Sequence, residues 1–317
     1  MTAYVIRRVL WMFPLLFAVA TITFVLMHLT PGGPFDVQEK LQPAQRETLA
    51  RRYNLDKPIH EQYLYYLGDI SPVTYEPPFF KTPDLGESFT QRGRTVNNII
   101  SDGFWVSAQL GLMSFLFAVI VGMSLGIMSA LNQNRLPDYL GVFFATLGAA
   151  VPSFVMATLL AWLFSVELGW TDRLGWEFGN FRKMTLPVVS LGLLPAAFIA
   201  RITRASMLEV MRQDFIRTAR SKGLAEWVVI MRHVVKNSLI PVLTVAGPIF
   251  AVLVTGSFII ERIFQINGIG RPFVDAVFRR DYGVIMGTTL FFATTVAIAN
   301  LVVDVLYAAV DPRIRYG

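Results

Sequence analysis

Gly122-Met123-Ser124-Leu125-Gly126 has the Gly-x-Ser-x-Gly spacing of a nucleophile elbow, in which a serine on a strained strand-to-helix turn is activated by a nearby histidine. Here the pentapeptide lies inside a long uncharged run. In that setting Gly122, Ser124 and Gly126 read as a small-residue surface for close packing of membrane helices. The three histidines, His28, His60 and His233, place no base in a late apolar segment. His60-Glu61 opens a zinc-type His-Glu-x-x-His pattern, but Leu64 occupies the position of the second ligand. None of Lys40, Lys57, Lys81, Lys183, Lys222 and Lys236 follows a glycine, so the chain carries no nucleotide-binding P-loop of its own. Gly268-Ile269-Gly270 is half of a dinucleotide fingerprint, yet it follows an apolar segment rather than a strand and reads as a turn with positive φ angles. The absence of cysteine excludes disulfides and thiolate metal sites. No catalytic residue, metal site or cofactor is assigned to this chain.

The elements around these residues are apolar and long. Six stretches contain no Asp, Glu, Lys or Arg: Val9 to Leu29, Phe104 to Leu131, Tyr139 to Val166, Met184 to Ala200, Ser238 to Ile260 and Tyr282 to Val303. At about 1.5 Å rise per residue most of them cross a hydrocarbon core of about 30 Å, and the fourth is the shortest. With a mean hydropathy of +0.51, this predicts an all-α membrane protein with six transmembrane helices. The net charge of +6 is the ordinary consequence of basic residues near membrane faces, so no nucleic-acid partner is inferred. The first run follows Arg7 and Arg8 as a signal peptide would, but exceeds the usual h-region and leads into Thr30-Pro31-Gly32-Gly33 rather than a cleavage site. It is expected to remain as an anchor.

Lys and Arg densities on the two sets of loops nearly balance, and Arg7 with Arg8 directly before the first span favours a cytoplasmic N-terminus. The expected organisation is a first span over 1–29, an external cap over 30–103, and a five-span core over 104–317. In the cap, helices are expected from Ala44 to Tyr53 and from an Asp56 cap through Gly68. Tyr53, Tyr63, Tyr65, Tyr66, Phe79 and Phe80 supply apolar surface to bury there; the same residues would suit a loop lying on the headgroups.

Residues 201–241 form a polar and strongly basic segment between two long apolar ones, with eight Lys or Arg residues from Arg201 to Lys236. Met207, Met211, Phe215 and Ala219 repeat at helical spacing, and Lys222-Gly223 offers a basic last turn with a glycine cap. A second helix follows from Ala225 to about Lys236. The first helix, exposing Phe215, Ile216, Arg217 and Arg220, suits a groove on a partner protein; the basic residues equally permit an amphipathic helix on anionic lipid. The spans carry no acidic group near their centres, which argues against coupling to protons or sodium.

The run from Asp214 to Pro241, with the core Arg217-Thr218-Ala219-Arg220-Ser221-Lys222-Gly223-Leu224, resembles the cytoplasmic EAA loop of ABC-importer permeases of the oligopeptide and dipeptide branch. The resemblance covers nearly the whole chain: the start YVIRRVLW, the LTPGGPF turn, ARITRASM from Ala200 to Met207, Glu261 to Tyr282, and VDVLYAAVDPRIRY from Val303 to Tyr316. Within the branch it looks closest to the first of the two paired subunits. At the positions of the general Glu-Ala-Ala stand Arg217, Thr218 and Ala219, so only Ala219 and Gly223 fit the wider pattern. Pro241 also lies later than in sugar-type permeases. Both departures look typical of the peptide branch.

The resemblance implies a type I ABC-importer architecture in a bacterial or archaeal cell membrane, with both termini cytoplasmic. It implies a second homologous permease subunit, two cytoplasmic ATPase subunits that bind ATP and Mg, an extracytoplasmic substrate-binding protein and surrounding membrane lipid. Phe215, Ile216, Arg217, Thr218, Ala219, Arg220, Lys222 and Gly223 would then form the ATPase-coupling helix. Ser153, Thr158 and Asn300 are the candidates for holding a peptide backbone in the pathway, and such residues also serve as interhelical hydrogen bonds. Pro152, Pro187, Pro195 and Pro248 lie inside spans as kinks or hinges. Relatives in this branch also carry nickel, glutathione or oligosaccharides. A channel, conducting alone, and an intramembrane serine hydrolase, losing turnover on Ser124→Ala, are the readings from other classes.

Overall fold

The computed structural model describes residues 2–35, 42–73, 81–91, 93–172 and 174–310. The described residues form helices α1 (Thr2–Leu29), α2 (Pro43–Arg52), α3 (Ile59–Ile70), α4 (Val96–Leu131), α5 (Leu136–Ala150), α6 (Ser153–Ala161), α7 (Phe181–Met211), α8 (Asp214–Ser221), α9 (Glu226–Val228), α10 (Lys236–Val254), α11 (Phe258–Ile263), α12 (Gly270–Arg279) and α13 (Tyr282–Val310). Two π-helical segments, Trp162–Glu167 and Val229–Val235, continue α6 and join α9 to α10. No strand occurs among the described residues; Glu87 and Thr95 form an isolated antiparallel bridge.

Among the described residues five helices are long and apolar enough to span a membrane, and a sixth span exists if the pair Leu136–Ala150 and Ser153–Glu167 counts as one. That pair is bent by 105°. The expected third span is therefore broken at Val151 and Pro152, where Val151 is extended and Pro152 caps α6. By contrast, Pro187 and Pro195 sit within α7, and Pro241 and Pro248 within α10, without ending either helix. The fourth span is not short: α7 runs on past Arg201 to Met211. α13 likewise continues beyond Asp304, which the sequence had placed outside the last span.

The chain divides into two compact units. Among the described residues, one comprises Val106–Asn267 and 298–310, the other Thr2–Trp105 and Gly268–Ala297. In the first, α4 packs on α7 through glycines. A Cβ added at Gly122 would lie 2.6 Å from the Ala196 carbonyl oxygen, and one at Gly126 would lie 2.6 Å from Cβ of Thr203. Ser124 between them is exposed, so the packing surface consists of Gly122 and Gly126 without the serine. Ala118, Ala196, Ile199 and Val242 fill the adjoining core. With backbone atoms that close, Gly126→Leu should force α4 from α7 and cost about 3 kcal/mol or more, at the upper end of overpacking effects. The readout is the yield of folded chain and its melting midpoint in detergent.

In the second unit, α2 and α3 are the two helices expected near Ala44 to Tyr53 and through Gly68. Asp56 does not cap the second: α3 starts after Pro58 with no side-chain cap. His28 Nε2 lies 3.1 Å from Gln62 Oε1, and Gln62 Nε2 donates to the Leu55 and Lys57 carbonyls at 3.2 and 2.7 Å, tying the end of α1 to α3 and the turn before it. Tyr63 and Tyr66 pack against Phe24, and Tyr53 against Phe89. Tyr65 is exposed, while Phe79 and Phe80 lie outside the described residues. Asp281 accepts from the Ser88 hydroxyl, from the backbone amides of Phe89 and Thr90 at 3.0 and 3.1 Å, and from the Thr90 hydroxyl at 2.8 Å. Gly268-Ile269-Gly270 makes no positive-φ turn. Ile269 has φ −76°, enters the core with Val96 and Ile285, and is followed directly by α12.

Candidate functional site

The polar stretch 201–241 folds differently from a free-standing helix pair. Its beginning is the end of α7, and the segment from Glu226 is the start of the long helix that continues through α10. Between them α8 is only 8 residues long. It begins after Gln213, which is extended at φ −72° and ψ 149°, so the expected helix from Met207 to Arg220 is interrupted at Arg212 and Gln213. Gly223, at φ +76°, donates its amide to the Arg220 carbonyl at 2.9 Å and ends the turn as the sequence predicted. Arg220 then grips Glu226 with two hydrogen bonds of 3.1 and 2.6 Å, closing the loop onto α9.

An isolated helix of this length is unstable in water, so packing must hold it. Ile216 and Ala219 supply that packing. Both are buried in a cluster with Ala130 of α4, Met207 of α7, and Val229 and Val234 of the π-helical segment. Ile216 is thus not an exposed contact residue, contrary to the sequence reading: it and Ala219 form the seat of α8. Phe215, Arg217, Thr218, Arg220 and Lys222 remain exposed and form its outer face. Nothing lies within 4 Å of a Cβ built at Gly223. A substitution there is therefore opposed by backbone conformation rather than by space, and Gly223→Val should cost about 1–2 kcal/mol while Gly223→Asn costs less. Comparing their melting midpoints checks this.

Beside this seat is an ion pair that sequence reasoning missed. Arg204 of α7 donates through Nε and Nη2 to the two carboxylate oxygens of Asp138 at 2.7 and 2.8 Å. The Ser129 hydroxyl donates to the same carboxylate, and the Asn134 amide does so at 2.9 Å. Arg204 Nε also reaches Ser129 Oγ at 3.1 Å. Asp138 is 2 % exposed. One carboxylate thereby joins the end of α4, the turn at Asn134, the start of α5 and α7. The available signal was an acid placed just after Pro137 at a span entrance, together with Arg204 one helical turn before Met207 in ARITRASM.

The family described as binding-protein-dependent transport system inner membrane component matches residues 122–316, and its N-terminal counterpart matches residues 1–111. The chain belongs to this family. Among curated relatives, the oligopeptide transport system permease protein OppB of Salmonella typhimurium is 42% identical over 100% of both chains, and OppB of Haemophilus influenzae is 39% identical over the same share. The dipeptide transport system permease protein DppB of Bacillus subtilis is 40% identical over 99% of this chain and 98% of its own. Among solved structures, inward-facing MetNI methionine ABC transporter superposes with a TM-score of 0.55 at 16% identity, over 67% of this chain and 96% of that one. The fold is that of ABC-importer permeases, and the chain is a multi-pass membrane transport subunit.

Within this permease one of the pathway candidates, Thr158, lines a groove beside α6. The groove, of about 560 Å³, is lined also by Trp162, Leu174 and Gln265, and by neither Ser153 nor Asn300. The Thr158 hydroxyl donates to the Phe154 carbonyl at 2.8 Å. Ser124 stands in the middle of regular α4, without the strained turn that a nucleophile elbow needs. Among the described residues no group of His, Asp and Glu could hold a metal ion.

Proposed function

We propose that this chain is one of two transmembrane subunits of an ATP-driven importer of oligopeptides or dipeptides. A homologous permease completes the pathway, two cytoplasmic ATPases bind ATP and Mg, and an external binding protein delivers the cargo. The carrying observation is the seat of α8: a short helix fixed by Ile216 and Ala219 to the ends of α4, α7 and the helix leading into α10, with its other face outward. Such a helix moves with the spans it is packed on, so a partner that contacts it differently in two nucleotide states performs work on the pathway. The full-length similarity to OppB and DppB supports the cargo class. Arg7 and Arg8, in the first turns of α1 and directly before its uncharged run, support cytoplasmic termini.

The test is co-purification in gentle detergent followed by reconstitution into liposomes with ATP and the binding protein. Recovery of a second permease and two ATPases, with vanadate-sensitive uptake of labelled tripeptide, is the expected result. Uptake of nickel, glutathione or an oligosaccharide instead would move the cargo within the branch. Conductance by this chain alone would replace the importer reading with a channel.

A further inference from the structure

The second unit contains a cavity that import coupling does not use. It has a volume of about 320 Å³ and lies among α2, α3, the Asp84–Phe89 segment and the adjoining ends of α1 and α13. That is within the range of small-ligand sites. Its walls include the rings of Phe24, Tyr66, Phe89 and Tyr282, with Phe24 stacked on Tyr66 at 6.1 Å and Phe89 beside Tyr282 at 6.4 Å. Two exposed carboxylates, Asp69 and Asp84, stand at its rim.

The charges of this lining are unbalanced. Arg52, the guanidinium of the lining, is engaged with Glu87 at 2.7 Å. The Asp69 side chain accepts no hydrogen bond among the described residues, and Asp84 uses one oxygen on the Gly86 amide at 2.9 Å. Loss of solvent pushes the Asp69 carboxyl up from its ordinary value; Lys81 opposes this and Asp84 adds to it. Among the described residues the buried Tyr66 hydroxyl has no hydrogen-bond partner, and burial pushes it up to about 12. An unbonded buried hydroxyl is costly, and here it belongs to the same lining as the two rim carboxylates.

Aromatic faces and carboxylates together favour a cation, and a phenol that keeps its proton donates to a carbonyl or phosphate oxygen. We propose that this cavity binds a primary ammonium group, with Asp69 and Asp84 as its counter-charges, the rings packing against what carries it, and the Tyr66 hydroxyl donating to a neighbouring oxygen. A peptide N-terminus and the ethanolamine headgroup of a phospholipid both present this chemistry.

The test uses the whole chain in phosphatidylglycerol nanodiscs without ATPases, so that its outcome is separate from that of the import reading. Saturation-transfer NMR and calorimetry would follow Ala-Phe, N-acetyl-Ala-Phe and glycerophosphoethanolamine. Saturable Ala-Phe binding, weakened at least tenfold by acetylation and by Asp69→Asn with Asp84→Asn, assigns the site to peptides. The same loss seen for glycerophosphoethanolamine, with no peptide binding, assigns it to lipid. Tyr66→Phe, which keeps the ring, should weaken the bound probe about three- to tenfold with a melting midpoint no lower than the parent's, so the proposal stays testable if the Asp variants misfold. Equal binding of free and acetylated peptide, wild-type affinity in folded variants, or no saturation by any probe would overturn it.

Discussion

Replacing Asp138 with alanine is expected to destabilise the chain by about 3–5 kcal/mol, because removing one partner of a buried pair leaves the other charge uncompensated. The carboxylate accepts from Arg204, Ser129 and Asn134, so its loss strands two hydrogen bonds from the guanidinium and frees the turn between α4 and α5. The melting midpoint in detergent should fall sharply. The double variant Asp138→Leu with Arg204→Met removes both desolvation costs and should recover most of the loss. A double variant no more stable than Asp138→Ala would show that the pair does not act as a unit.

Ile216→Ala is the second large effect. It empties part of the cluster formed by Met207, Val229 and Val234 and should cost about 2–5 kcal/mol, the range for truncating a buried isoleucine. Because so short a helix has little stability of its own, the loss falls on α8 itself. In the reconstituted importer, peptide uptake should drop at least tenfold while binding-protein docking persists. Phe215→Ala and Arg217→Ala, on the exposed face, should leave the melting midpoint unchanged and weaken ATPase association. The seat reading fails if Ile216→Ala melts and transports as the parent does.

Much of this fold was legible because charged residues are expensive in lipid, so charge-free runs mark spans directly. That same rule misplaced the end of α7. Arg201 and Arg204 look like the start of a loop, yet the helix continues, and Arg204 is neutralised by Asp138 from a distant part of the sequence. No local pattern encodes such a pair. Pro152 signalled a break without its angle, because the 105° turn is set by what α5 and α6 pack against, α7 above all. The seat of α8 was more accessible: Ile216 and Ala219 are three residues apart in this short helix, the spacing of one buried face. Grouping Ile216 with Phe215 as exposed ignored that spacing. Tyr53, Tyr63 and Tyr66 pack as apolar material while Tyr65 does not, and the cavity that Tyr53 and Tyr66 line depends on residues as far apart as Phe24 and Tyr282.

The π-helical segments Trp162–Glu167 and Val229–Val235 close each hydrogen-bonded ring with one residue more than an α-turn does. Each is therefore a place where the chain carries a spare residue. Deleting one residue between Val229 and Val235 lets that stretch revert to α-helix while α9 and α10 keep their faces. The same deletion within α10 would turn everything beyond it by about 100° and present lipid with the wrong side. Length variation in the helix from Glu226 onward is thus confined by geometry to this one segment, next to the seat of α8.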